Sequence, residues 1–264
     1  MITEKGSEEQ IVALENKLLE KDAEVQQLQN AQDNFIYMAS HDLMAPMRKL
    51  TTFVKRLTQK ATNELSENSQ KYLSRINSTL ATMQLMMDRF SALSKVGEAG
   101  VEFDLIDLNQ LIKEVESELN INNTDFNLNI VYDKLPSVNG NKIQLKQLFR
   151  EIIENSLKFN SNKICEIKIS SEILNEVPMQ ILPTGHQNKY YKINISDNGI
   201  GFSNEFSDKI FDPFQHLHGN AAYAGAGLGL SICSKIIKNH KGVIKGTSNK
   251  NEGAVFTLIL PATE

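Results

Sequence analysis

The period of the hydrophobic pattern changes once along this chain, near residue 100, and this change limits the possible folds most. Residues 8–98 place apolar side chains three and four positions apart, which is the spacing of one helix face. Beyond them, four segments alternate apolar and polar residues as strands do: 126–132, 164–170, 190–196 and 254–260. Helical patterns flank these segments at 107–120, 141–159 and 228–240, and residues 175–189 have the composition of an inserted loop. The sequence therefore predicts a helical region followed by an α/β sandwich.

The first part of the helical region carries a heptad seam. Its members are Ile11, Leu14, Leu18, Lys21, Val25, Leu28, Gln32 and Phe35. Nearly four heptads without glycine or proline favour a parallel coiled coil over a single amphipathic helix packed on its own domain.

A second helical run follows a polar break at residues 62–68 and ends before Gly97 and Gly100. Its apolar positions are Leu73, Ile76, Leu80, Met83, Met87 and Phe90. Two long helices joined by a short turn form a hairpin, and a lone hairpin would expose one apolar seam. We therefore expect two copies of the chain to pair in a four-helix bundle.

Charge and composition exclude several classes of protein. Lys and Arg number 28 against 32 Asp and Glu, and a net charge of −4 does not attract nucleic acid. No apolar run approaches the roughly 18 residues that span a membrane, and the acidic start lacks the features of a signal peptide. The two cysteines, Cys165 and Cys233, are too far apart for a metal-binding CxxC pair. These features predict a reduced, cytoplasmic protein.

His41 is the first candidate for chemistry, on the first long helix. Ser40, His41 and Asp42 are consecutive, so a carboxylate lies near the imidazole and can polarise it or accept its proton. Pro46 lacks the amide hydrogen that would bond the carbonyl of Asp42, which costs about 3 kcal/mol inside a helix. A helix that bends near a reacting histidine would explain that cost. The alternative is a surface histidine ahead of an incidental kink.

Polar residues on the predicted helix 141–159 are the second candidate. Glu151, Asn155, Lys158 and Asn162 recur at intervals of four, three and four, which places them on one face. A carboxylate, an amide oxygen and an ammonium group could together hold Mg²⁺ and a polyphosphate, because magnesium prefers oxygen ligands. Taken alone, the pattern also fits an ordinary solvated face.

The segment DNGIGF at 197–202 directly follows a predicted strand. Asp197 would lie at the floor of a pocket, where it could accept a hydrogen bond from an exocyclic amine such as that of adenine. Gly199 and Gly201 would let the backbone approach a ligand closely. A tight turn after a strand is the alternative.

A glycine-rich segment precedes the last predicted helix. Gly225, Gly227 and Gly229 would bring unpaired helix amides close to an anion. Phe211 and Phe214 lie upstream and would anchor a mobile lid, or would belong to the core. His216 and His218 lack a nearby third ligand, so a metal site there is rejected.

These segments, in this order, resemble the sensor histidine kinases of two-component signalling, and most closely the phytochrome-like, soluble type. The motifs are SHDLMAP, REIIENSLKF, DNGIGF, IFDPF and GAGLGLSI, and the resemblance covers residues 30–262. It implies a hairpin that dimerises and presents a phosphorylated histidine. It also implies an α/β domain that binds ATP with Mg²⁺, in the fold shared with gyrase and mismatch-repair ATPases.

The resemblance implies a role for each candidate residue. His41 would accept the phosphoryl group, Asp42 would help to deprotonate it, and an aspartate of a response regulator would then receive the group. Asn155 would bind Mg²⁺ with Glu151 close to the metal. The expected ATP contacts are Asn155, Lys158, Asp197, Gly199, Gly201, Phe211, Phe214, Gly225, Gly227, Leu228 and Gly229.

The resemblance also divides the chain and leaves two rival functions. Residues 1–34 would be a coiled-coil signalling helix, 35–98 the dimerisation and phosphotransfer hairpin, and 101–264 the catalytic domain. The start MITEKGSEEQ is similar to the exit of a sensory PAS domain, which predicts such a domain upstream. Glu151 also fits an ATP hydrolase of the gyrase superfamily, in which it would activate water. A dimeric scaffold with a degenerate nucleotide site is the non-enzymatic alternative.

One position departs from the family pattern. Bifunctional relatives carry Thr or Asn three positions after the acidic neighbour of the histidine, whereas this chain carries Ala45. Because alanine has no side-chain donor or acceptor, the sequence predicts a kinase with little activity as a phosphatase of the receiver.

Overall fold

A computed structural model describes residues 2–61, 65–96, 102–122, 127–162, 164–175, 189–215, 227–248 and 252–263. The chain divides into two compact units, Met1–Leu80 and Ala81–Glu264. The boundary expected near residue 100, between the phosphotransfer hairpin and the catalytic domain, is a functional one, and it stays a prediction.

Two helices form the N-terminal region, as predicted. Helix α1 spans Ile2–Ala61 and continues through Pro46, and helix α2 spans Glu67–Lys95. The polar break thus separates two helices, although residues 62–64 and the glycines expected to end α2 lie outside the described residues. Met47, Leu73 and Leu80 are buried, whereas many other apolar residues of these helices are exposed. None of the described helices is long and apolar enough to cross a membrane.

A mixed sheet of five strands forms the centre of the second unit. Its strands are β2 (Asn127–Tyr132), β4 (Ile164–Leu174), β5 (Tyr190–Asp197), β6 (Val243–Ser248) and β7 (Ala254–Pro261), in the order β2-β4-β5-β7-β6. Strand β2 runs parallel to β4, and the other neighbours are antiparallel. Strands β1 (Asp104–Asp107) and β3 (Ser137–Gly140) form a separate antiparallel pair.

Three helices pack on one face of this sheet: α3 (Leu108–Asn122), α4 (Lys142–Lys158) and α5 (Gly229–Asn239). Their apolar residues share one core with the inward residues of the sheet, for example Ile167 and Ile193. The alternate residues Glu166 and Lys168 of β4 are exposed, so the opposite face is polar. The predicted α/β sandwich is therefore confirmed.

The sequence pattern located four strands and missed β1, β3 and β6. Strands β1 (DLID) and β3 (SVNG) have only four residues, too few for an alternation to stand out. A glycine interrupts β6 (VIKGTS). The loop expected at 175–189 falls largely outside the described residues, as do Gly225, His216 and His218.

Candidate nucleotide-binding site

The carboxylate of Asp197, the last residue of β5, is fixed by three hydrogen bonds. Its Oδ1 accepts from the backbone amides of Gly199, at 2.9 Å, and Ala254, at 3.0 Å. The hydroxyl of the buried Ser156, on α4, lies 3.2 Å from Oδ2 and also 3.1 Å from the carbonyl oxygen of Ile152. Two amide donors occupy Oδ1, whereas Oδ2 keeps room for one more donor. The strand, the sheet neighbour and the helix thus hold an oriented acceptor in place.

Two glycines allow this arrangement. A Cβ atom on Gly253 would lie 1.9 Å from the carbonyl oxygen of Asp197, and the φ of Gly253 is +83°. A Cβ on Gly199 would lie 2.8 Å from the carbonyl oxygen of Phe159, which accepts the amide of Ile200. Both positions therefore require a residue without a side chain. Gly201, with a φ of 64°, also adopts the left-handed conformation.

Helix α4 presents Glu151, Asn155 and Lys158, as the helical spacing predicts. Asn155 lies one turn after Glu151, and its side chain makes no hydrogen bond to the described part of the chain. Burial is the main cause that lowers the pKa of Lys158, and the nearby positive charge of Arg89 adds to it. The prediction for Asn162 is wrong, because α4 ends at Lys158 and Asn162 instead donates to the carbonyl oxygen of Asn198.

The carboxylate of Glu151 is buried and paired with an arginine of α2. Arg89 Nη1 donates to Glu151 Oε2 at 2.9 Å, and Arg89 Nη2 lies 3.7 Å from Glu154 Oε2. Burial raises the pKa of Glu151, and the charge of Arg89 opposes this rise in pKa. Gly229 packs directly on the pair, because a Cβ there would lie 2.5 Å from Glu151 Oε2.

The N-terminus of α5 offers backbone amides that could bind a ligand's negative charge. Within the described ranges, no side chain makes a capping hydrogen bond at this end of the helix. The side chain of Leu228 is fully buried, so this residue can contribute only backbone atoms to a binding site. The first amides of the helix are therefore the groups that could bind an anion.

The two aromatic residues upstream of α5 have different environments. Phe211 packs against the core, whereas the side chain of Phe214 is half exposed. The amide of Phe214 donates to the carbonyl oxygen of Gly227 at 2.9 Å, and both residues have φ values of 66°. The ring of Phe214 also contacts that of Phe90, with 5.3 Å between centroids.

In the first unit, the imidazole of His41 is exposed on α1. Its Nδ1 lies 3.5 Å from Asp42 Oδ1, and both side chains are largely in solvent. Nε2 is therefore the nitrogen that this carboxylate leaves free. The adjacent Ser40 is buried, and its hydroxyl donates to the carbonyl oxygen of Ile36 at 2.6 Å.

Sequence reasoning did not find Arg89, Ser156 or Gly253. Ser156 directly follows Asn155 in the same helical motif, so its neighbour could have indicated it. Gly253 precedes the last strand, in a position typical of an ordinary turn. Arg89 lies 62 positions before its partner Glu151, and no local pattern links the two residues.

The site offers a small number of oxygen ligands for a metal ion. Among the described residues, no group of three or more His, Cys, Asp or Glu side chains could hold a metal ion. Glu151 and Asn155 supply two oxygen ligands of the type that magnesium prefers. Magnesium in phosphate sites commonly completes its coordination with phosphate and water, so these two residues fit such a metal.

Comparison with known proteins agrees with the fold. The family described as "Histidine kinase-, DNA gyrase B-, and HSP90-like ATPase" matches residues 140–264. Among solved structures, full-length ShkA in complex with AMPPNP has a TM-score of 0.61, with 17% identity, over 87% of this chain and 46% of that chain. At this identity, the likeness to ShkA shows the fold alone.

Two curated relatives match most of the chain. Cyanobacterial phytochrome A of Nostoc sp. is 33% identical over 227 residues, which is 86% of this chain and 28% of the relative. Phytochrome-like protein Cph1 of Synechocystis sp. is 30% identical over 227 residues, covering 86% of this chain and 29% of the relative. The chain therefore spans less than a third of either relative. With the matched ATPase domain, these relatives confirm the resemblance seen in the motifs, that of a sensor histidine kinase with a catalytic ATPase domain.

Proposed function

We propose that this chain is a histidine protein kinase that phosphorylates His41 with ATP and passes the group to an aspartate of a response regulator. The observation that carries the proposal is the fixed carboxylate of Asp197, in the domain that matches the ATPase family. An oriented carboxylate at a strand end can select a ligand that donates a hydrogen bond to it.

In the proposed complex, Asp197 Oδ2 accepts from the exocyclic amine of adenine. Oδ1 is already occupied by two amides, so Oδ2 is the oxygen left for the ligand. The uncapped amides of Gly229 and its successors in α5 bind the phosphates, and Lys158 adds a positive charge. The match of residues 140–264 to the ATPase family supports ATP as the nucleotide.

Glu151 and Asn155 are the residues that would hold magnesium. When it is bound, the ion would neutralise negative charge on the phosphate oxygens. Gly225 would belong to the phosphate-binding segment, and Phe211 and Phe214 would flank it. Gly199 and Gly201 would shape the adenine pocket, with only backbone atoms of Leu228 and Gly227 near the ligand.

The reaction proceeds by attack of neutral His41 on the γ-phosphorus of ATP. A bond forms between Nε2 and phosphorus while the bond from phosphorus to the β–γ bridging oxygen breaks, and ADP leaves. The proton on Nδ1 faces Asp42, which orients the ring and stabilises the positive charge that develops on it. The phosphoryl group then passes to the receiver's aspartate, and neutral His41 is restored.

We further infer that the active protein is a homodimer. Leu43, Leu50 and Leu57 recur every seven residues on α1 and are about half exposed in the single chain. The earlier heptad residues Leu14, Leu18, Val25 and Leu28 are exposed as well. A stripe of this length on a soluble helix is stabilised when a second copy covers it, as in a coiled coil or a four-helix bundle.

A cytoplasmic location agrees with this chemistry, because ATP and response regulators are its substrates. Cys165 and Cys233 are both buried free thiols, which is compatible with a reducing compartment. The sensory domain expected upstream of residue 1 stays a prediction.

The decisive test uses the purified chain and ATP labelled at the γ-phosphate. We expect a protein-bound label that acid releases and alkali does not, and we expect His41→Ala to abolish it. Label that appears only as free phosphate would favour the hydrolase alternative. Acid-labile label on the His41→Ala protein would exclude His41 as the acceptor.

A further inference from the structure

The ion pair between Arg89 and Glu151 lies where the proposed function needs a different cation. Glu151 Oε2, the oxygen that Arg89 Nη1 contacts at 2.9 Å, belongs to a residue assigned to magnesium. The second guanidinium nitrogen reaches Glu154 on the same helix, at 3.7 Å. One guanidinium of α2 thus contacts two carboxylates on the helix that carries Asn155.

The same guanidinium lies beside the proposed phosphate site. A Cβ on Gly229 would be 3.3 Å from Arg89 Nη1, so the arginine is adjacent to the first residue of α5. Its charge also lowers the pKa of Lys158, although burial is the larger cause. Arg89 therefore lies close to three of the groups proposed to bind the phosphates and their metal.

Neighbouring residues of α2 hold this segment in place. Leu93, in the last turn of α2, and Val96, directly after its end, are buried in the core of the second unit. One turn before Leu93, the ring of Phe90 contacts the ring of Phe214. The end of α2 is thus anchored by apolar contacts, and Arg89 projects from the adjoining turn to Glu151.

We propose that Arg89 is an internal competitor of the magnesium–nucleotide complex, and this inference rests on the proposed function. Arg89 contacts Glu151 and Glu154, and it occupies the Glu151 oxygen that a metal would need. Glu151 can give its oxygen to a metal only after Arg89 has moved away, since two cations repel each other at such a distance. The nucleotide with its metal therefore binds only the fraction of molecules in which the ion pair is open.

This competition gives α2 control over the affinity for nucleotide. Helix α2 is continuous from Glu67 to Lys95, so a displacement of its earlier turns would shift Arg89. A shift that weakens the ion pair would raise nucleotide affinity. By linkage, bound nucleotide and metal would weaken the hold of the ATPase domain on this end of α2 by the same factor.

The test measures the dissociation constant of ADP by calorimetry, with and without magnesium. With magnesium, Arg89→Gln should bind ADP about tenfold more tightly than the wild type, as expected if about one molecule in ten has an open pair. Without magnesium the gain should disappear, because no metal then competes for Glu151. Arg89→Lys keeps the charge and should bind closer to the wild type.

Arg75→Gln is the matched control, since Arg75 is an exposed arginine on the same helix. It should leave the dissociation constant unchanged. Weaker binding of magnesium–ADP by Arg89→Gln would overturn the proposal and make Arg89 a phosphate ligand. An affinity equal to that of Arg75→Gln would overturn it as well.

A second measurement does not depend on the dissociation constants. Amide hydrogen exchange in the last turns of α2 should be faster in Arg89→Gln than in the wild type, and magnesium–ADP should speed this exchange in the wild type. Unchanged exchange in both comparisons would contradict the proposal that the ion pair holds the end of α2 in place. Wild-type protein that binds no nucleotide would instead contradict the proposed function, whatever the exchange shows.

Discussion

His240 Nε2 accepts a hydrogen bond from the backbone amide of Asn141 at 3.0 Å, across 99 positions of the chain. The other ring nitrogen, Nδ1, lies 2.8 Å from the carbonyl oxygen of Ile236 and must therefore carry the proton. Asn141 caps α4 and His240 ends α5, so one neutral imidazole joins the two helices that position the nucleotide site. Protonation would place a hydrogen on Nε2, directly against the Asn141 amide.

The first prediction concerns this histidine and pH. Burial lowers the pKa of His240 below its usual value near 6.5. The unfolded chain therefore binds the proton first, so the stabilisation is complete above about pH 6.5 and is lost as pH falls toward the lower folded pKa. His240→Leu should be about 1–3 kcal/mol less stable at neutral pH, because the Asn141 amide loses its partner. Urea unfolding should show this difference shrinking toward about pH 5. An equal difference at both pH values would contradict the neutral imidazole.

The second prediction separates the two oxygens of Asp197. In Asp197→Asn, the amide oxygen can keep both backbone donors, whereas the new NH₂ group would face the adenine amine. Loss of a charged acceptor should weaken ATP binding by about 1.5–3 kcal/mol, or roughly ten- to a hundredfold. Calorimetry measures this, with the exposed Asp208→Asn as the control. If both variants bind ATP like the wild type, Asp197 does not contact the nucleotide.

The third prediction concerns the glycine behind Asp197. Gly253→Ala would place a Cβ against the Asp197 carbonyl oxygen at a residue with a φ of +83°. We expect a loss of about 2 kcal/mol or more in the free energy of unfolding, together with weaker nucleotide binding. Gly246→Ala is the comparison, because its Cβ would lie 2.5 Å from the flexible end of Ile210 and at ordinary contact distance from the rings of Phe202 and Phe211. Equal losses in the two variants would show that backbone strain at Gly253 is unimportant.

A fourth prediction tests the dimer. Leu80, a natural choice from the sequence, is buried within the single chain, so a charge there would unfold the subunit itself. Leu50 and Leu57 are 51% and 49% exposed, and glutamates at both positions should give a folded monomer. Light scattering measures the mass and circular dichroism the helix content, with Lys49→Glu and Lys55→Glu together as the control. A dimeric Leu50→Glu, Leu57→Glu protein would place the interface elsewhere.

The sequence predicted those parts of the molecule that depend on local spacing. The helical period located α1, α2 and α4, and with α4 came the shared face of Glu151 and Asn155. The spacing wrongly placed Asn162 on this face, because the helix ends at Lys158. The interval between residues carries no information about where a helix ends. Contacts between distant segments were not predictable in the same way. Arg89 meets Glu151 because Leu93 and Val96, at and just after the end of α2, pack in the core.

The last prediction concerns the reverse reaction and rests on Ala45. This residue is exposed on α1, three positions after Asp42, where bifunctional relatives carry Thr or Asn. Its side chain can hold no water, and neither neighbour replaces it: Met44 offers only a sulfur that Arg48 already approaches at 3.7 Å, and Pro46 lacks an amide hydrogen. We therefore expect a strong bias toward kinase activity and little stimulated loss of the receiver's phosphoaspartate. The measurement follows decay of a phosphorylated, ATP-free receiver with ADP, in the presence of the wild type or of Ala45→Thr. The variant should accelerate decay, whereas marked acceleration by the wild type would show that a water bound elsewhere does this work.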